Sequence, residues 1–258
     1  MSAWVVDIHR KVRVDPRPVA AVIAPAASAA AADPEMAAIV ASAPSLAALA
    51  AHVRCPFDAQ RVLDCLAYNT DDLVRCPADA LAAKRAHCFD GGMLAAALLQ
   101  RLGHAPRLVF LDADDDDGHI LALFSGDDGG VGAVAKSNFA ALRYREPVYR
   151  TIRELVMSYF DGYFNLAGKR TLRRYSRPLC LVSGPLQGVD WENDQAGVAA
   201  VDAAIDKLPL QRLLSAAEAK RLCPVDRRSF LSGTLGTDVA GAYRGAAVAG
   251  EAAAAPAS

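Results

Sequence analysis

A cysteine, a histidine and an amide-bearing strand end fall in an order that could support nucleophilic chemistry. Cys88 lies in R-A-H-C-F-D-G-G-M-L-A-A-A-L-L-Q-R-L-G, at the start of an apolar stretch. His119 opens G-H-I-L-A-L-F, and V-G-A-V-A-K-S-N ends on Ser137 and Asn138. Thiolate is the reactive form of cysteine, and a free thiol, with a pKa of ~8.5, is mostly protonated at neutral pH. A helix N-terminus favours the anion through its unpaired amides and dipole, and a neighbouring imidazole can take the proton. Gly91 and Gly92 would let a substrate backbone approach the first helical turn, whose amides could donate to an oxyanion. The competing reading makes Cys88 a buried filler and His119 a polar strand end.

Positioning these residues requires a helix and a meander. Met93, Leu94, Ala97, Leu98 and Leu102 form a helical stripe, Asp90 or a neighbour caps it, and Gly103 closes it in the left-handed conformation. Strands are expected over 107–111, 119–124 and 131–135, with a hairpin at G-D-D-G-G between the last two. His119 would then open its strand with its ring pointing toward the helix start. If the hairpin is centred between Asp127 and Gly129, His119 pairs with a residue between Ala135 and Asn138. Asn138 is the preferred group to orient the ring, because its amide oxygen reaches further than the Ser137 hydroxyl. Asp112 and the run Asp114–Asp117 are alternatives. His87 is read as a support of the site residues or as structural.

Around this centre, helices are expected from Asp33-Pro34, from about Ala59, from Cys76-Pro77, over 146–164 with Pro147 opening it, and over 198–222 with a split near Pro209. Lys169–Arg174 reads as a solvated basic turn, Asp114–Asp117 as a solvated loop, and 179–182 as a strand. The fold class is α+β. One domain spans 35–246, after an N-terminal arm and Ala/Pro-rich linker (1–34) and before a disordered tail (247–258).

Of the 258 residues 53% are hydrophobic, much of this alanine, and the net charge is -1. Nothing basic points to nucleic acid, and no run approaches the ~20 apolar residues of a membrane helix. The basic, alanine-rich stretch near the N-terminus is too long and too interrupted by Pro18 and Pro25 for an export signal, so the chain is expected in the cytoplasm. The six cysteines form no C-x-x-C pair and read as reduced thiols, five of them apolar fillers. No metal-ligand spacing and no Gly-rich phosphate loop is present, so no metal or cofactor is expected.

The segments A-H-C-F-D-G-G-M-L-A-A-A-L-L-Q-R-L-G-H-A-P, G-H-I-L-A-L-F, V-G-A-V-A-K-S-N-F and L-R-Y-R-E-P-V-Y-R-T-I-R-E-L-V-M-S-Y-F together resemble the transglutaminase-like superfamily of papain-type Cys-His-Asp enzymes, most of all a bacterial branch of it. The resemblance covers about Tyr68 to Arg177. It implies a Cys-bearing helix packed on a short antiparallel sheet, with the nucleophile at Cys88 and the base at His119. The family's aspartate follows a tryptophan by four positions on the third strand. Val131 and Ala135 occupy those places here, so Asn138 or Ser137 would have to substitute.

Two functions follow as expectations. One is thiol-dependent acyl transfer from an amide or thioester carbonyl of a peptide, protein or small acyl substrate, by Cys88, His119 and Asn138. The other is a non-catalytic peptide- or protein-binding module on the same fold, for which Ala135 is the main support.

Overall fold

In a computed structural model, residues 33–71 and 73–243 are described. The arm and linker expected before Asp33, and the tail over 247–258, lie outside them. Asp33 caps α1 (Pro34–Ser42), with Pro34 at its first position as the sequence implies. After α2 (Leu46–Ala50) and α3 (Pro56–Cys65), the two-residue strands β1 (Ala67–Tyr68) and β2 (Arg85–Ala86) pair in parallel around α4 (Pro77–Ala83). The chain then enters α5 (Cys88–Arg101).

Next come β3 (Arg107–Ala113), β4 (His119–Ser125), β5 (Val131–Val134), β6 (Arg145–Tyr149), α6 (Ile152–Met157), β7 (Leu172–Ser176) and β8 (Leu179–Cys180). The last elements are α7 (Gln195–Asp206), β9 (Leu210–Arg212), α8 (Ala216–Lys220) and α9 (Arg227–Gly233). Seven strands form one sheet in the order β6-β5-β4-β3-β7-β9, with β8 beside β7 along the same edge of β3. All its pairings are antiparallel. The architecture is α+β, with helices covering an antiparallel sheet and β1–β2 forming a separate parallel pair.

The central helix is more deeply buried than a one-sided stripe would be. Every residue from Asp90 to Leu99 is buried. Each large apolar side chain among them, Met93, Leu94, Leu98 and Leu99, contributes about 1.5–3 kcal/mol by leaving water. Gly103, at φ 91°, supplies the left-handed turn that stops the helix. Gly91 and Gly92 serve the sheet rather than a substrate. A Cβ on Gly92 would lie 2.4 Å from Ile120 Cγ2, and one on Gly91 2.3 Å from Lys136 Cβ. The glycines let α5 sit almost directly on β4 and on the segment leaving β5.

The period of two along β4 decides which residues meet α5. Ile120, Ala122 and Phe124 belong to the core that α5 fills. Leu121 and Leu123 belong to the second core, with Leu155, Val156 and Tyr159 from α6 and the turn after it. His119 falls in the second set.

Three expected elements differ, one of them the helical stretch over 198–222, where strand β9 follows Pro209 and separates α7 from α8. The helix placed over 146–164 is instead β6, then α6 after a break. Pro147 is tolerated because β6 is the outermost strand, where a missing N–H leaves no ladder partner. The basic turn at Lys169–Arg174 runs into β7, which holds its second half, and it takes up the acidic run. Arg174 Nε lies 2.7 Å from Asp112, Arg173 Nε 3.8 Å from Asp114 and Lys169 Nζ 3.0 Å from Asp115. The two charged stretches, each read as solvated, neutralise one another.

All six cysteines are free. Cys76 is buried and the half-buried Cys65 packs against the same core, whereas Cys55 and Cys223 are exposed, so the filler reading holds for Cys76, in part for Cys65, and not for the exposed pair. Among the described residues no helix is long and apolar enough to cross a membrane.

Candidate functional site

His87, Cys88 and Asp90 are fixed by the way α5 begins. His87 is the N-cap, and its Nδ1 accepts from the Phe89 amide at 3.0 Å and the Asp90 amide at 3.5 Å. Asp90 answers with its carboxylate on the His87 amide at 3.4 Å, completing a capping box. Asp90 also accepts from the Arg75 amide at 2.9 Å, which ties the preceding loop to the helix start. The cap is thus the neighbour of Asp90. Two of the amides expected to serve an oxyanion are held by the His87 ring.

Cys88 takes the first helical position and faces a cavity of about 580 Å³. The sulfur lies alongside the start of β4 and donates to the Gly118 carbonyl at 3.6 Å. As a residue Cys88 is half-buried, but its thiol is packed round by protein, and that depth governs its proton. Burial pushes the thiol up to about 12, and the Asp117 and Asp90 carboxylates add to the rise. The amides of Phe89 and Ile120 pull the other way and lose. The depressed thiol expected from the helix N-terminus is therefore reversed: desolvation of the anion outweighs the dipole.

His119 lines the same cavity. It is only 3% exposed, and burial lowers its pKa to about 4. Its Nε2 lies 2.8 Å from the Leu142 carbonyl. A carbonyl can only accept, so Nε2 carries the proton and Nδ1 keeps its lone pair. Tyr163 stands edge-on to the ring at 6.4 Å, and its hydroxyl donates to the Asp117 carbonyl at 2.7 Å. The ring thus lies on the α6 side of the sheet, beside Leu142 and Tyr163, where the expectation had it pointing toward the start of α5. Thiol and imidazole meet only at the cavity around the end of β4, and no hydrogen bond joins them among the described residues.

Asn138 also reaches the cavity, but it does not orient His119. Its Nδ2 donates to the Asp238 carbonyl at 2.7 Å, and its Oδ1 accepts from the Asp238 amide at 2.8 Å. The amide is engaged through both ends there, and it is the Leu142 carbonyl that bonds the ring. The turn is centred as the hairpin estimate implies, but His119 gains no partner on that side. Ser125 pairs with Val131, which centres the turn on Asp128 and projects His119 opposite Ser137, but the β4–β5 ladder stops at Ala122–Val134. Ser137 Oγ accepts from the Phe139 amide at 2.9 Å. Asp112 is held by Arg174, and Asp116 accepts from the Thr171 hydroxyl at 2.6 Å. Burial raises Asp116 to about 6. Asp117 lines the cavity, raised by burial and countered in part by His87.

Beyond Val134 the chain is anchored to α3. The Ala135 amide donates to Gln60 at 3.1 Å. The buried Lys136 ammonium donates to the Leu63 and Leu66 carbonyls at 2.8 and 2.6 Å. A lysine on the last carbonyls of a helix satisfies those groups and suits the negative end of its dipole. Burial nevertheless lowers Lys136 to about 8.

Sequence reasoning missed the Leu142 carbonyl, the Tyr68–Thr70 wall and residues 240–243, all of which meet the cavity or its histidine. A backbone carbonyl has no side-chain signature, and the last segment returns from about a hundred residues away. Among the described residues no group of three or more His, Cys, Asp or Glu side chains is placed to hold a metal ion. No protein-family model matches the chain, and no curated protein matches it.

Proposed function

We propose that the chain is a thiol-dependent acyl-transfer enzyme on a transglutaminase-like core. Support for the core comes from α5, which bears Cys88 at its first position and packs on an antiparallel sheet whose strand β4 begins with His119. The observation that carries the activity is one cavity lined by both the Cys88 thiol and an imidazole whose tautomer leaves Nδ1 free. The resting pair is a neutral thiol and a neutral imidazole, since the thiol sits far above neutrality and the ring well below it. Chemistry then proceeds by general-base catalysis rather than from a preformed ion pair.

In the first step the thiol leaves the Gly118 carbonyl. As Sγ bonds to the substrate carbonyl carbon, its proton passes to Nδ1 and the carbonyl electron pair moves to oxygen. The positive end of α5 faces that oxyanion. Collapse expels an amine or thiol leaving group, which takes the proton from the imidazolium. Water or an amine then releases the acyl group by the reverse path. The Leu142 carbonyl stabilises the ring while it carries charge. Six free thiols suit a reducing compartment such as the cytoplasm.

The test is acylation by an activated thioester, located by peptide mass spectrometry. Cys88 should acylate faster than the exposed Cys55 and Cys223 of the same molecule, and His119→Ala should abolish that advantage. Acylation of Cys88 no faster than the exposed thiols would sink the proposal. A non-catalytic peptide-binding role is the second reading. It is favoured by the absence of a thiol–imidazole hydrogen bond and by the use of Asn138 on a peptide backbone.

A further inference from the structure

The segment after α9 lies in the cavity that holds Cys88. Ala240, Gly241, Ala242 and Tyr243 line it together with Cys88 and Asn138. Three long-range hydrogen bonds fasten the approach. Asn138 makes its reciprocal pair with the amide and carbonyl of Asp238, and the Thr237 hydroxyl donates to the Asn138 carbonyl at 3.0 Å. The reciprocal pair reads backbone alone and would hold any non-proline residue equally well. The opposite wall reads size. A Cβ on Gly241 would stand 2.8 Å from Thr70 Cγ2 and 3.1 Å from the Tyr68 ring. Asp238 folds the piece between by accepting from the Ala240 amide at 3.0 Å, which makes a short turn over Val239–Gly241.

We propose that the groove between Asn138 and Tyr68–Thr70 is a peptide-binding subsite of the Cys88 cavity, selective for a small residue, and that the chain's own Thr237–Tyr243 segment occupies it in competition with substrate. The inference deepens the acyl-transfer reading by naming the substrate class. That class is a peptide held through its backbone by Asn138, with glycine where Gly241 now lies. The segment must leave before such a peptide can bind, so it also sets access to the thiol.

The experiment uses the full chain and iodoacetamide, with the modified Cys88 peptide quantified by mass spectrometry. Gly241→Val cannot keep its contact with Tyr68 and Thr70, and should expel the segment while leaving Asn138 in place. Its Cys88 should label about tenfold faster than in the wild type, the effect of losing one or two hydrogen bonds' worth of anchoring. The free peptide Thr-Asp-Val-Ala-Gly-Ala-Tyr should slow labelling of Gly241→Val again, and should fail to do so when Asn138→Ala is added.

Asp238→Pro is the second variant, should Gly241→Val misfold. It removes the N–H that Asn138 accepts at a position whose φ of -77° proline tolerates, and it too should label faster. Labelling at the wild-type rate in a folded variant, or no protection by the peptide, overturns the proposal. Alkylation reads access and not catalysis, so the subsite can stand if the acylation test fails, and can fall while acylation succeeds.

Discussion

The protonation state of Cys88 is the point at which the reasoning can be struck most directly. Its thiol is pushed up to about 12, by burial first and by Asp117 and Asp90 next. At pH 7 a group of that pKa is ionised in about one molecule in 10⁵, whereas a free cysteine near 8.5 is ionised to about 3%. Alkylation runs through the thiolate, whose greater intrinsic nucleophilicity at a higher pKa returns part of that factor, so Cys88 should react with iodoacetamide roughly a hundredfold more slowly than an exposed thiol. Cys55 and Cys223 provide that comparison within the same chain. The rate should still be climbing at pH 10, with no plateau near 8. Asp117→Asn removes a carboxylate that opposes the anion, so it should lower the thiol pKa and raise the rate at any fixed pH. A rate plateau below pH 9 in the wild type would refute the claim that desolvation dominates. Indifference to Asp117→Asn would refute the electrostatic part.

Two further outcomes test the scaffold. Gly92→Ala should destabilise the chain, because overpacking a core by a methyl costs about 1–3 kcal/mol and alanine returns only ~1 kcal/mol as the better helix former; an unchanged urea midpoint would show that α5 and β4 are not in the close contact described. Stability should also fall as pH drops from about 6.5 to about 4, the window between the ordinary histidine value and that of buried His119. The unfolded chain binds the proton first there, for a loss of up to about 3 kcal/mol. Subtracting the pH–stability curve of His119→Gln should isolate that loss, and identical curves would count against a neutral, buried ring.

Local patterns made much of this legible. The Asp33-Pro34 start, the Gly103 stop and the three meander strands follow from caps, left-handed glycine and alternation. The same rules misread 146–149, because apolar spacing cannot show that Pro147 lies at a sheet edge. They also misread the ion-paired β7, whose partners stand about sixty residues earlier. At the site, Cys88 and His119 were placed at one cavity by helix start and strand start. What could not be read was the face His119 takes relative to α5, since that depends on which alternate set of β4 residues the glycines of α5 admit. The fate of Asn138 was hidden for a related reason. Its partner is the backbone of Asp238, and hydrogen bonds to backbone leave no mark in residue types.

The cavity's two sides are fastened by different physics, and ionic strength separates them. The loop carrying Asp117 is tied to the β7 side in two ways, by charge pairs at Asp112, Asp114 and Asp115 and by hydrogen bonds from the Tyr163 and Thr171 hydroxyls and the Asn165 amide. The charge pairs weaken once the Debye length falls to about 3 Å in 1 M salt. The wall behind Cys88 is keyed instead by the Lys136 ammonium, sealed inside the protein on two carbonyls. Mobile ions do not reach it. Raising salt therefore removes only the charged part of the fastening on the aspartate side, leaving the hydroxyl and amide bonds at Asp115, Asp116 and Asp117, while α3, α5 and the end of β5 stay locked together.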